Sequence, residues 1–136
     1  MGGQGRKKER GAAAVEFALI LPLLMVILFG TIDWGWYFFV QQIVNNAARE
    51  GARVGSLTVP GTSGAAATAS AQAEAQATTY LTAAGLDGGK ATVTPVVTPT
   101  FVQVTVSYPT GSLTGLDVLK SLLPANAWAQ SQMANN

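Results

Sequence analysis

The sequence predicts an α+β protein: a long N-terminal membrane-spanning helix carrying a small head of one or two helices and a two- to three-stranded antiparallel sheet. Three observations carry that prediction. Residues 17–32, "FALILPLLMVILFGTI", are uncharged throughout. Residues 40–54, "VQQIVNNAAREGARV", keep an apolar stripe at helical spacing. Residues 91–109, "ATVTPVVTPTFVQVTVSYP", alternate apolar and polar side chains with the period of a strand. The chain divides accordingly into a basic N-terminal segment (1–11), a long membrane-spanning helix (12–54) and a small head (55–136).

The 136 residues are 49% hydrophobic and 11% charged, against roughly 25% charged in an ordinary soluble domain. Cys and His are absent, which removes disulfides, thiolate nucleophiles, the common zinc ligands and the usual neutral-pH proton carrier. A net charge of +1 argues against a nucleic-acid binder. The basic character is local: "RKKER", residues 6–10, holds four bases and one acid, and the chain beyond Gly11 holds four bases and six acids.

Residues 1–10 show no apolar period and are expected to be a disordered, solvated tail. The uncharged run 17–32 is slightly short of the roughly 20 residues needed to span a bilayer. Adding "AAAV" before it and "WGWYFFV" after it supplies the length. Trp34, Trp36 and Tyr37 fit an interfacial aromatic belt, with Asp33 at the same depth near water. The positive-inside rule places "RKKER" in the cytoplasm and the head across the membrane. Pro22 removes one backbone hydrogen bond and predicts a local kink. A cleaved secretory signal is disfavoured by the length of the run, the carboxylate that opens it and the absence of a small-x-small exit.

The helix is expected to continue beyond the membrane through Val40, Ile43, Val44, Ala47, Gly51 and Val54, giving about 63 Å from Ala12 to Arg53. Ala47, Gly51 and Gly55 form a small-xxx-small seam that admits close approach of another helix, either a neighbour's or one of the chain's own head. "GSLTVPGTSG", residues 55–64, is a turn-rich break. The Ala-rich residues 65–84 predict a helix stopped by Gly85, with a low-complexity linker as the competing reading. Pro95 confines the first strand run to a sheet edge, and Pro99 marks the turn before the second. Residues 113–123, "LTGLDVLKSLL", return to helical spacing, with Thr114 and Asp117 as a capping pair and Pro124 as the stop. This segment could be a core face or could lie on the membrane. "AWAQSQM", residues 127–133, could add a third strand.

One carboxylate interrupts the apolar N-terminal half. Glu16 lies six residues after Arg10, with no base within reach on its outer side. A charge at the membrane centre costs about 2.5–3.5 kcal/mol on insertion scales. The cost is less near a helix end, yet Gln or Ala would cost less still. An acid kept in such a place points to function, with a snorkelling side chain as the plainer alternative.

The surrounding residues resemble a known family. A basic leader ends in Gly11, Ala12 follows, Glu16 is the fifth residue after that glycine and Phe17 the sixth. This resembles the class III signal of type IV pilin-like proteins, cut after the glycine by prepilin peptidase. "GAAAVEFAL" and "AAREGARVGS" (47–56) resemble in particular the TadE-like pseudopilins, or minor pilins, of the tight-adherence (Tad/Flp) system. The likeness is close over residues 10–56 and looser beyond, where "SQMANN" has asparagines in place of the expected basic and acidic residues.

The resemblance implies a non-catalytic subunit processed between Gly11 and Ala12 and needed for pilus assembly or secretion. It implies that Glu16 pairs with the new α-amine of Ala12 on a neighbouring subunit. It implies a single pass through the bacterial inner membrane, incorporation into a pilus, and a role in adhesion. The implied partners are prepilin peptidase, other pilin-like subunits, the inner-membrane assembly platform, an outer-membrane secretin and membrane lipid. No cofactor, metal or nucleic acid is expected. The alternative is an unprocessed, membrane-anchored binding module. Catalysis is disfavoured, since no paired carboxylates or nucleophile–base sets occur. Asp87 in "LDGGK" lacks the spacing of a phosphate loop and reads as a turn.

Overall fold

The computed structural model of the chain describes residues 3–58, 64–115 and 121–135. Helix α1 runs over Gly3–Ser56, helix α2 over Ala65–Ala83, and a single 3-10 turn over Gly88–Lys90. Strands β1 (Thr92–Val97), β2 (Phe101–Pro109) and β3 (Asn126–Ala134) follow. They form an antiparallel meander in the order β1-β2-β3, which puts Pro95 on an edge strand as its missing N–H requires.

Helix α1 has 54 residues and is about 81 Å long. It is two objects in one. From Gly11 to Ile32 the chain presents its apolar side chains outward, among them Val15, Phe17, Leu19, Leu23 and Ile27. Its most apolar window has a mean hydropathy of 2.6 and no part of it is buried by protein. These 22 residues span about 33 Å at 1.5 Å each, close to the roughly 30 Å hydrocarbon core of a bilayer. From Val40 onward the same helix is a core element: Val40, Val44, Ala47, Ala48 and Ala52 are fully buried.

The packed half of α1 and helix α2 make one layer, and the sheet covers it. Val102, Val104, Val106 and Tyr108 of β2 point inward, with Ala127 and Ala129 of β3 beside them. The alternation seen in the sequence is therefore the pleat of a half-buried strand. Helix α2 buries Ala69, Ala73, Ala77 and Leu81, one residue per turn. Alanines supply little area each, but they let α2 lie close to the Gly and Ala of α1. The linker reading of 65–84 is thereby excluded.

Helix α2 ends in a Schellman arrangement. Gly85 takes φ +89°, Leu86 N–H donates to Leu81 O and Gly85 N–H to Thr82 O, both at 3.0 Å. Leu81 and Leu86 are both buried beneath it, the hydrophobic contact that accompanies this cap.

Three expectations are corrected. The basic segment is not irregular: α1 extends back to Gly3, because a formed helix elongates at little cost through Arg, Lys, Gln and Glu. The helical spacing of 113–123 does not give a helix at its ends. Residues 113–114 and 121–123 are bends and turns, and residues 116–120, with Asp117, lie outside the described residues. Thr114 instead serves as a hydrogen-bond donor to α1. Asp33 is not near water but is 1% exposed.

Candidate functional site

The N-terminal features lie on the bare half of α1. Gly11, Ala12 and Glu16 are all exposed on helical backbone. A Cβ placed on Gly11 would meet nothing within 4 Å. Among residues 11–58, 64–115 and 121–135, whose side chains are described, Glu16 has no hydrogen-bond or ion-pair partner, and the ion pairs are Glu50–Arg53 and Asp87–Lys90. The head contributes nothing to this region. Ala12 and Glu16 are one turn apart on one stripe, and helical side chains lean toward the N-terminus, so the acid inclines toward Ala12.

The seam lies in the packed half. A Cβ on Gly51 would sit 2.8 Å from Ala73 O and 3.2 Å from Ala77 Cβ. One on Gly55 would sit 2.9 Å from Val102 Cγ1 and 3.1 Å from Ala73 Cβ. Ala47 is fully buried in the same core. The helix that approaches Gly51 and Gly55 in the structure is α2 of the same chain, with β2 alongside.

Between the two halves is a collar that the sequence reading missed. Asp33 accepts three hydrogen bonds from one turn. Ser112 Oγ–H donates to Oδ2 at 2.8 Å, Thr114 Oγ1–H to Oδ2 at 2.8 Å, and Thr114 N–H to Oδ1 at 3.0 Å. A carboxylate fully removed from solvent requires such a set. Two turns further along, Gln41 acts as a strand mimic. Its Nε2 donates to Trp128 O at 2.7 Å and its Oε1 accepts from Trp128 N–H at 3.2 Å. This closes part of the free edge of β3. The available signal was the pair of hydroxyls flanking Leu113 in "SLT", a turn that wants an acceptor; nothing local pointed to Asp33.

On the head, Arg53 clasps Glu50 through two hydrogen bonds, Nη2 to Oε1 at 2.6 Å and Nε to Oε2 at 2.9 Å. These bonds hold the Glu50 carboxyl below the usual carboxylate range, and burial opposes them only in part. With Asn46, Arg49, Tyr80 and Met133 the pair lines a shallow depression. Asp87 accepts from Gly89 N–H at 3.1 Å and caps the 3-10 turn, as a turn residue should. Among the described residues no three His, Cys, Asp or Glu side chains gather in a metal-binding group.

Comparison with known proteins bears on the helix. Residues 11–53 match the model of the family described as TadE-like protein, as the resemblance of "GAAAVEFAL" and "AAREGARVGS" implied. No curated protein and no solved structure matches the chain significantly. The match begins at Gly11, follows α1 across its bare half and through its packed half, and stops before α2 and the sheet.

Proposed function

We propose that this chain, with its TadE-like helix, is a minor pilin or pseudopilin of a tight-adherence pilus or a related secretion machine. The family match supports a Tad pilus-related, structural role in company with other pilus components. The apolar N-terminal helix fits a single-pass anchor. The observation that carries the finer reading is Glu16, an acid on the bare apolar surface, five residues after the glycine at which the family match begins.

In this reading prepilin peptidase cuts after Gly11 on the cytoplasmic face of the inner membrane. The cut removes the basic leader and leaves an α-amine on Ala12 with a pKa of about 7.7–8.0. That amine is largely cationic near neutral pH. On a neighbouring subunit it meets the Glu16 carboxylate inside the membrane or the fibre core. Such a pair is attractive at low dielectric, and either member alone is penalised. The pair therefore sets register between helices more than it adds stability. The head stays outside the membrane, and the subunit turns over no substrate.

Mass spectrometry of the chain isolated from its native envelope tests the processing, and the expected mature chain starts at Ala12. Glu16→Ala is expected to be cut normally yet to fail in incorporation or piliation. A native chain that still carries "RKKER" would overturn the pilin reading and favour the unprocessed binding module. Normal piliation by Glu16→Ala would remove the role given to that residue.

A further inference from the structure

We propose that the two described limbs of the connection from β2 to β3, residues 110–115 and 121–125, rest on the bilayer surface as a foot, with Leu113 and Leu122 in contact with lipid. This rests on the membrane-anchor reading of α1 and assigns a second contact to the same bilayer.

The levels of the elements along α1 place this loop. A Cβ on Gly55 meets Val102 Cγ1, and one on Gly51 meets Val104 Cγ1. Four helix residues rise about 6 Å and two strand residues about 6.8 Å, so β2 descends beside α1 toward the bare half. Its last residue, Pro109, pairs with Asn126 and marks the lower end of the sheet. The loop then leaves the head on the membrane side. Its base is closed by Thr110, whose N–H donates to Ala125 O at 3.0 Å and whose hydroxyl donates to Pro124 O at 2.7 Å. Its first limb is tied to Asp33 through Ser112 and Thr114.

Asp33 lies eight residues before Gln41, which holds Trp128 near the start of β3. Ser112 and Thr114 are therefore held about 12 Å nearer the bare segment than Trp128. Leu113 lies between the two residues tied to Asp33, which directly follows Ile32 at the end of that segment. It is 58% exposed, and Leu122 on the returning limb is 66% exposed. Trp34, the residue after Asp33, and Phe38 are both exposed, their rings 5.7 Å apart and tilted by 36°. Leucines facing outward at the depth where the neighbouring helix surface is apolar and aromatic are continuous with the anchor. The occupant they fit is the interfacial layer of the leaflet on the head's side.

The full chain reconstituted in phosphatidylcholine vesicles tests this by spin labelling. The protein has no cysteine, so Leu113→Cys and Leu122→Cys each give one label without touching the Asp33 ties. Val26→Cys in the middle of the bare segment and Leu57→Cys at the far end of α1 are the references. Relaxation by lipid-dissolved oxygen is compared with relaxation by a water-soluble nickel chelate. The expected result is oxygen dominance at 26, 113 and 122 and nickel dominance at 57. Nickel dominance at 113 and 122, with oxygen dominance kept at 26, overturns the foot and leaves the anchor standing. Labels at 113 and 122 that neither reagent reaches also overturn it, in favour of a second copy covering the loop. Nickel dominance at 26 overturns the anchor reading and the foot together.

Discussion

Gly51→Ala sets two known effects against each other. Replacing Gly by Ala inside a helix gains about 1 kcal/mol of propensity. Here the added methyl would lie 2.8 Å from Ala73 O, a backbone atom, and 3.2 Å from Ala77 Cβ. Backbone cannot turn aside as a side chain can, so α2 must shift as a unit. Overpacking of this kind costs about 1–3 kcal/mol. The net expectation is a loss of about 1 kcal/mol, or about 4–8 °C in the melting of a head this size. Gly55→Ala should cost less, because its shortest contact, 2.9 Å, is to the end of the Val102 side chain. Gly35→Ala meets nothing within 4 Å and should be neutral or stabilising. The assay is thermal unfolding of the full chain in detergent, followed by near-ultraviolet circular dichroism of the head aromatics. A Gly51→Ala variant as stable as Gly35→Ala would refute the claim that α2 is pressed against the seam.

Asp33→Ala strands Ser112 Oγ, Thr114 Oγ1 and Thr114 N–H, and should cost on the order of 1–3 kcal/mol locally; hydrogen exchange at the Thr114 amide should accelerate, and an unchanged rate would show that the tie is not formed. Gln41→Ala opens the strand edge at Trp128 at about 1 kcal/mol, read as faster exchange of the Trp128 amide with little change at Ala129. Glu50 titrates below its ordinary value of 4.5 because of Arg53. The pair's contribution is thus present above about pH 4.5 and lost as pH falls through the lowered value. Carbon-13 NMR of the Glu50 carboxyl should show the midpoint rising toward 4.5 in Arg53→Ala, and an unmoved midpoint would deny the pairing.

Much of the architecture was legible because it rests on periodicity and composition. An apolar run of spanning length, a stripe at 3.6 residues and an alternation at 2 residues identify a helix, its continuation and a strand wherever they occur. Gly85 announced the end of α2 because it supplies the left-handed conformation at low steric cost. The resemblance at Gly11–Phe17 was legible for the same reason: it is contiguous.

What stayed hidden depends on residues far apart in the chain. The Leu pattern of 113–123 suggested a helix, yet Ser112 and Thr114 are drawn into a turn by a carboxylate 79 and 81 positions away. The sequence of α1 determined that one part would be bare and apolar and another small and close-packed. Only the tertiary structure decided that α2 fills the seam, that Gln41 covers a strand edge and that Asp33 is buried. Those outcomes follow from how β2 descends beside α1, and hydrogen bonds across some eighty residues leave no local period to read.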